Sequence, residues 1–425
     1  MLDIERIRTE PQRIKEAIRA KGTGDPELVE ELLEVDEKRR SAITEMQQTQ
    51  EKQNKVSRSI GTLKREGKDD EAQEKIEETS RLKERVQELE ETVREVEQKQ
   101  QKLLLEIPNV PHRSVPVGST EEDNDVAAEV GEKPTFDFEP KPHWKITEQH
   151  DLVDFQRGSK VTGAGFPFYL GKGAQLQRAL INFFLDRAQQ NGYREVQAPH
   201  FVNEASARGT GQLPDKEDLM YEIGRDELFP IPTAEVPVTN FFRDEILNAD
   251  DLPVKLCAYT PCFRREAGSH GADVRGLNRL HQFDKVELVH VVEPDDSYRA
   301  LESLREDAEG LLDDLGLPYR RLLMCTGDMG FTQAKKYDLE VWSAGQERWL
   351  EVSSISNFED FQARRMAIRY RPEAEAKPVL VHTLNGSGLA LPRIVAAILE
   401  QYQDEDGNVY IPEVLQPYTG FETIG

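Results

Sequence analysis

Residues 27–105 constrain the fold more than any other stretch. They are free of proline and rich in Glu, Lys, Arg and Gln. Apolar residues recur at Leu28, Leu32, Val35, Ala42, Met46, Val56, Ile60 and Leu63, then at Ala72, Ile76, Leu82, Val86, Leu89, Val93, Val96 and Leu103. The steps are mostly three and four, the seam of a coiled coil. Gly61 and Gly67, with the polar run 66–70, interrupt the series. Two helices of similar length joined by a short turn fold back antiparallel, so the stretch predicts a long two-helix arm. Ahead of it, Asp3 caps a helix expected to run to about Ala20 and to end at Gly22, Gly24 and Pro26.

Charge limits what such an arm can bind. The chain has 80 acidic and 55 basic residues, a formal net charge of −25. So acidic a chain has no global attraction for nucleic acid, and a nucleic-acid partner needs a local basic patch. The distal arm supplies one. Between residues 52 and 68 there are six cations, Lys52, Lys55, Arg58, Lys64, Arg65 and Lys68, against the single acid Glu66. Arg81, Lys83 and Arg85 fall across from Lys52 and Lys55 if the turn is near residue 67. Over 27–105 as a whole the count is 16 basic and 21 acidic, so the patch is local. Two readings fit it: a phosphate-gripping tip, or a solvated helix face with intrahelical ion pairs.

The cysteines, Cys257, Cys262 and Cys325, are too few and too scattered for a disulfide framework. Cys257 and Cys262 lack the second pair or nearby histidines of a zinc site. The N-terminus MLDIERIRTEP is charged from its third residue, and no apolar run approaches a membrane span. The expectation is a cytoplasmic protein with no membrane partner. Residues 109–145 hold five prolines, from Pro111 to Pro142, and the acidic run 121–125. They read as a linker and entry segment between an N-terminal domain, 1–108, and a domain spanning 146–425. In the latter, strand-like and helix-like patterns mix as in an α+β fold.

Within that domain, 261–287 reads PCFRREAGSHGADVRGLNRLHQFDKVE, two strands joined by a long loop bearing Gly268, Gly271, Arg275 and Gly276. Arg264 and Glu266 are two residues apart on the first strand, and His281, Phe283, Lys285 and Glu287 alternate on the second. A side-chain period of two puts each set on one face. An Arg binds phosphate or carboxylate bidentately, a Phe stacks on a base, and a Glu accepts from an ammonium or hydroxyl. The kit suits a nucleotide plus a small zwitterion. A plain hairpin with cross-strand ion pairs is the simpler reading, but it leaves the long loop unexplained.

Other segments add polar groups. Thr233, in IPTAEVPVTNFF, suits a helix cap with Glu235 in the first turn. LEVSSISNF, 350–358, offers a carboxylate and hydroxyls of the kind magnesium takes. Glu351 and Ser354 are three residues apart, so a strand must bulge or bend to bring both to one face. A β-rich run, 379–385, leads into Asn385-Gly386-Ser387-Gly388 and an apolar helix from Leu389 to about Tyr402. Strand, Gly-rich turn and helix N-terminus form an anion-ready arrangement. No Lys-Ser/Thr follows, so it is not a P-loop. Arg393 lies in the first turns of that helix, where the dipole disfavours a cation; a phosphate role explains the placement.

These letters resemble a known family. F-R-x-E, the Gly-bearing loop, R-G-L-x-R-x-H-Q-F and K-V-E resemble motif 2 of class II aminoacyl-tRNA synthetases, in the version of the seryl-tRNA synthetases. The helix 179–190, Gly192, the strand-like 195–198 and Pro199 resemble motif 1, and G-L-A-L-P-R, 388–393, resembles motif 3. Thr233-Ala234-Glu235 is similar to the family's serine-binding T-A-E. The resemblance spans essentially the whole chain, and departs at Phe358, where many members have Cys.

The resemblance implies an α+β protein. Its catalytic domain is an antiparallel sheet flanked by helices, behind an N-terminal antiparallel α-helical coiled-coil arm. It also implies a homodimer, the cofactors ATP and Mg2+, and the partners L-serine and tRNA(Ser). Arg264, Glu266 and Arg393 are the implied catalytic residues. ATP is implied to meet these and Arg265, Arg275, Leu280, Phe283, Glu351, Val352, Ser353 and Ser354, with magnesium on Glu351 and Ser354. Serine is implied to meet Thr233, Ala234, Glu235, Arg264, Glu287, Asn385 and Ser387. The arm's Lys52, Lys55, Arg58, Lys64 and Arg65 are implied to meet tRNA outside its anticodon. Three alternatives differ in sequence. A carrier-protein amino-acid ligase of the same fold would be expected to lack the arm. An inactive tRNA-binding relative would have lost Arg264, Glu351 or Arg393. A structural coiled coil does not explain the motifs beyond residue 230.

Overall fold

The computed structural model describes residues 1–214, 219–265 and 275–425. It divides into two compact units, one of residues 2–19 and 24–108, the other of residues 1, 20–23 and 109–425.

In the first unit, Leu28–Arg65 and Asp69–Glu106 are helices of 38 residues each. Arg39 pairs with Glu97, Glu45 with Arg85 and Lys52 with Glu78, so the helices run antiparallel. Val29, Leu32, Val35, Ala42, Val86, Leu89 and Leu103 are buried in the seam. Nearer the turn Val56, Ile60 and Leu63 are only half-buried, because two helices alone cannot enclose a side chain. The turn needs Gly67, whose φ of +71° is left-handed. Gly61, expected to help mark the break, lies inside the helix. The first helix is two pieces, Ile4–Thr9 and Pro11–Lys21, because Pro11 has no N–H to continue the ladder. Asp3 does cap it, accepting from the Glu5 amide.

The second unit is built on one eight-stranded sheet. Its strands in chain order are β1 (Asp125–Val130), β2 (Arg194–Glu195), β3 (Val254–Phe263), β4 (Gln282–Val292), β5 (Tyr319–Leu323), β6 (Lys335–Ser343), β7 (Arg348–Asn357) and β8 (His382–Ala390). They lie in the order β1-β5-β6-β7-β8-β4-β3-β2, and only the β2–β3 pairing is parallel. Helices Gly171–Gln190, Ser297–Asp314 and Leu391–Gln401 bury Leu180, Phe183, Leu304, Leu311, Ile394 and Ile398 in one core with Val286, Leu288, Leu339 and Ile355 of the sheet. The site strands thus have an apolar backing that fixes their register.

Three local expectations change. The proline-rich 109–145 is not all linker, since it supplies the edge strand β1. Of the strand-like 195–198 only Glu195 lies in a strand, the two-residue β2. The run 379–385 divides. Val379–Leu380 joins a separate three-stranded sheet, while β8 continues straight through Asn385-Gly386-Ser387-Gly388 to Ala390, and the helix starts at Leu391. These glycines serve close packing, not a turn: a Cβ on Gly386 would meet Ile355 at 3.0 Å, and one on Gly388 would meet Leu288 at 3.1 Å. The C-terminal residues, which carry no motif, also close the core with Val409, Ile411, Leu415 and Ile424.

Candidate functional site

β3 and β4 form the hairpin read from the sequence, with Cys262 opposite Phe283 and Phe263 opposite Gln282. Phe283, Lys285 and Glu287 alternate along β4 and line a cavity of about 430 Å³. Arg264, one residue past β3, also lines it; its guanidinium carbon is 5.2 Å from the Phe283 ring centroid, and its Nε donates to the Pro232 carbonyl at 3.3 Å. His281 lies just before β4 and outside the lining, with a ring nitrogen 2.7 Å from the Tyr221 hydroxyl. β7 contributes Glu351, Val352, Ser353 and Ser354, β8 contributes Asn385 and Ser387, and Leu280 and Arg393 also line the wall.

The electrostatics of this cavity oppose those of the chain. Arg264, Arg279, Lys285, Lys336 and Arg393 line it against Glu235, Glu287 and Glu351. A cationic excess inside a protein of net charge −25 focuses field onto an anionic ligand. A volume of this size holds a nucleotide-sized molecule.

At one end, Thr233 and Lys285 converge on Glu287. The Thr233 hydroxyl donates to Glu287 Oε2 at 2.9 Å, and Lys285 Nζ is 2.5 Å from the same oxygen. Glu235 accepts from Gln362 at 2.7 Å, which fixes its carboxylate. Ser353 donates to the Ser387 carbonyl at 2.7 Å, tying β7 to β8. Asn385 is buried and lines the cavity, and its Nδ2 has no hydrogen-bond partner among the described residues. Buried donors rarely go unmatched, so a ligand acceptor is the fitting partner.

At the other end, β7 bulges as expected. Leu339 faces Ser353 but Glu340 faces Glu351, leaving Val352 as the extra residue. Ser354 Oγ is then 3.1 Å from Glu351 Oε1 and 2.7 Å from Asp338 Oδ1, able to donate its one hydrogen to either. Lys336 Nζ is 2.9 Å from Asp338. Burial pushes the Asp338 carboxyl up to about 7, with Glu351 repelling its charge and Lys336 opposing the rise. Enclosure also pushes Glu351 up, but Lys336 and Arg393 outweigh it and hold Glu351 below its ordinary value. Glu351 opens to water in the cavity, so the enclosure effect is the weaker one. Two carboxylates and a hydroxyl are hard oxygen donors. They fit magnesium, which completes its shell with phosphates and water. Arg393 is aimed from the third residue of its helix, its Nη1 donating to the Glu351 carbonyl at 2.6 Å and its Nε to the Asn278 carbonyl at 3.0 Å.

Some expected residues are not gathered here. Glu266 lies outside the described residues. Arg265 is exposed, its backbone N–H donating to the Leu219 carbonyl at 3.0 Å. Arg275 is exposed and stacks on Trp144 at 4.8 Å, away from the lining. Ala234 packs in an apolar cluster with Val238 and Leu256. Phe358 is buried and does not line the cavity. On the arm, Lys52 pairs with Glu78 at 3.3 Å and Lys55 with Glu51 at 2.6 Å, and Arg65 donates to the Gly61 carbonyl at 3.0 Å. Arg58 and Lys64 are exposed and, among the described residues, form no ion pair. Several cavity residues received no role from the sequence: Lys336, Asn278, Arg279, Gln212 and Gln333, with Asp338 behind them. The period of two between Phe283 and Glu287 places Lys285; Asn278 and Arg279 fall within the R-G-L-x-R-x-H-Q-F segment, and the others belong to no motif.

Comparison with known proteins agrees with this geometry. Residues 1–111 match the seryl-tRNA synthetase N-terminal domain, and residues 220–402 match the tRNA synthetase class II core domain (G, H, P, S and T). The chain is 69% identical over 425 residues to a serine–tRNA ligase of Salinibacter ruber, covering 100% of this chain and 99% of that one. It superposes on the crystal structure of seryl-tRNA synthetase from Pyrococcus horikoshii complexed with ATP with a TM-score of 0.95, at 37% identity and covering 100% and 99% of the two chains. A cytoplasmic serine–tRNA ligase from Naegleria fowleri in complex with AMP gives a TM-score of 0.89, at 28% identity and 100% and 98% coverage.

Proposed function

The chain belongs to the seryl-tRNA synthetase family, class II ligases of translation, and we propose that its cavity joins L-serine to tRNA(Ser) at the expense of ATP. The serine carboxylate attacks the α-phosphorus, giving seryl-adenylate and releasing pyrophosphate. A ribose hydroxyl of the terminal adenosine of tRNA then attacks the seryl carbonyl, and AMP leaves. The observation that carries the reading is the convergence of Arg264, Phe283, Glu287, Thr233, Glu351, Ser354 and Arg393 on one cationic cavity.

Positioning and charge neutralisation dominate such phosphoryl chemistry, so no side-chain nucleophile is required. Arg264 holds the α-phosphate beside the serine carboxylate. Phe283 stacks on adenine, with Leu280 beside it and Glu266 on the adenine side. Arg393 neutralises the γ-phosphate, and Arg275 leaves Trp144 to close over it, with Arg265 nearby. Glu351 and Ser354, next to Val352 and Ser353, hold magnesium, which when bound neutralises phosphate charge. Thr233, Glu235, Glu287, Asn385 and Ser387 bind the serine ammonium and hydroxyl, with Ala234 packed behind. Alanine would leave these buried partners unmatched and is rejected on that ground.

Residues 1–108 form the tRNA-binding domain in this reading, gripping tRNA through Lys52, Lys55, Arg58, Lys64 and Arg65. Residues 109–145 lead into the catalytic domain, 146–425. Two copies form a homodimer in the cytoplasm. No helix among the described residues is long and apolar enough to cross a membrane.

The test is ATP–pyrophosphate exchange by the purified protein with magnesium and each amino acid in turn, without tRNA. Serine-dependent exchange is the expected outcome. Exchange driven by a different amino acid overturns the serine pocket, and none with any overturns tRNA-independent activation.

A further inference from the structure

We propose that His143 is a positioning residue. It holds the backbone of 276–277, and through Asn278 the Arg393 guanidinium, at the phosphate end of the cavity. The inference rests on the ATP-activating reading above.

His143 opens the helix His143–Gln149, and Glu400 lies near the end of the helix that Arg393 begins. Both side chains are fully buried, at 0% exposure. Glu400 Oε1 accepts from the His143 backbone N–H at 2.9 Å and lies 2.7 Å from ring Nδ1. Its Oε2 accepts from the Ser343 hydroxyl and from the Gly345 N–H at 3.0 Å. Burial pushes the Glu400 carboxyl up, but these hydrogen bonds, led by that of His143, hold it below its ordinary value. A carboxylate only accepts, so Nδ1 carries the proton. The other ring nitrogen, Nε2, faces the Leu277 N–H at 2.9 Å. A backbone N–H only donates, so Nε2 must present its lone pair. Two neighbours therefore dictate one neutral tautomer of His143.

That tautomer is tied to the site on several sides. Leu277 and Asn278 line the cavity, and the Asn278 carbonyl receives Arg393 Nε at 3.0 Å. The Asn278 side chain bonds Gln346 at 2.8 Å, and Gln346 in turn donates to Glu400 at 3.2 Å. Gly276 has φ +68°, and a Cβ there would stand 2.3 Å from His143 Nε2, so no side chain fits between ring and backbone. The next helix residue, Trp144, has the Arg275 guanidinium over its ring at 4.8 Å. One helix start thus grips two successive residues, Gly276 by contact and Leu277 by a hydrogen bond, with the releasable Arg275 stack beside them. A buried His–Glu pair kept for stability alone would not need the second nitrogen to reach the cavity wall.

Two substitutions separate the bonds. In His143→Asn the amide reaches the place of Nδ1 and can serve Glu400, but not Leu277. In His143→Gln it reaches the place of Nε2 and can accept from Leu277, but not serve Glu400. For both variants and wild type we would measure KM for ATP and for serine in pyrophosphate exchange, ATP binding by calorimetry, and Tm. His143→Asn is expected to raise KM and Kd for ATP about tenfold, the scale of a displaced positioning group, with KM for serine unchanged. His143→Gln is expected to stay within about threefold of wild type for ATP, even if its Tm falls further. Equal ATP constants in the two variants, or constants that follow Tm, would overturn the proposal. If wild type binds ATP but shows no serine-dependent exchange, the functional reading fails, and the calorimetric comparison still decides the role of His143.

Discussion

On the arm, Lys55 and Glu51 meet with side chains 72% and 67% exposed; in the cavity, Lys285 and Glu287 meet with 7% and 3% exposed. The chemistry of the two pairs is the same and the solvent is not. An exposed pair is screened, holds little energy and parts readily for a phosphate. A buried pair has lost its hydration, and removing either partner strands the other. The arm's cations should therefore act additively and be replaceable one by another. Those of the cavity should act as a unit fixed by strand register.

The largest effect that tests this contrast is Arg393→Ala. Its guanidinium is anchored on two main-chain carbonyls, so the fold loses little, while the transition state loses its γ-phosphate partner. Serine-dependent pyrophosphate exchange is expected to fall by about 10²–10³, as when one preorganised donor is removed from an enclosed site. Activity within tenfold of wild type would remove Arg393 from the site.

Next in size is the arm. Replacing Lys55, Arg58 and Lys64 together by Ala is expected to lower kcat/KM for tRNA charging by about tenfold or more at low salt and to flatten its salt dependence, while exchange stays unchanged. Restoring any one of the three should recover part of the loss. Equal loss of exchange and charging would break the division between the two regions.

The same contrast explains what the sequence disclosed. A heptad period is local, so the arm and its turn near Gly67 are legible residue by residue. A period of two is also local, and it placed Phe283, Lys285 and Glu287 together with Arg264. The bulge at Val352 followed from requiring Glu351 and Ser354 on one face. What stayed hidden is set by register between strands. Asp338 reaches Ser354 only because β6 pairs with β7 at that offset. Gly386 and Gly388 read as a turn because glycine usually marks one, whereas here it admits Ile355 and Leu288. The proline-rich segment concealed β1 because an edge strand needs a partner, β5, that lies far along the chain.

A smaller effect lies in pH. The Asp338 carboxyl is raised from 3.8 to about 7 in the folded protein, so the folded state binds its proton more tightly than the unfolded one. Its contribution to stability is complete below the unfolded value and is lost as pH rises through the folded one. Between about pH 4 and 7 in metal-free buffer, the Tm of wild type should accordingly fall relative to that of Asp338→Asn. A constant difference between the two would show that Asp338 is ionised throughout and that Lys336 fully offsets its burial.

The smallest expected effect is the sharpest test of the arm as a solvated surface. Arg85 looks the most structural of its charges. It reaches Glu45 on the facing helix at 2.7 Å and Glu88 on its own at 2.9 Å, and Glu45 raises its pKa. Yet all three side chains are about half exposed or more, at 48%, 51% and 66%. Water and salt compete for each, and ordering three long side chains costs entropy that the pairing only offsets. Arg85→Ala should therefore leave the midpoint of urea unfolding unmoved at physiological salt, with the apolar seam beneath, Val86 and Leu89, carrying the helices' association. A clear loss that disappears at high salt would mean that charge, not the apolar seam, holds the arm together. In that case the arm's cations would be committed to structure, and those free to meet tRNA would narrow to Arg58 and Lys64.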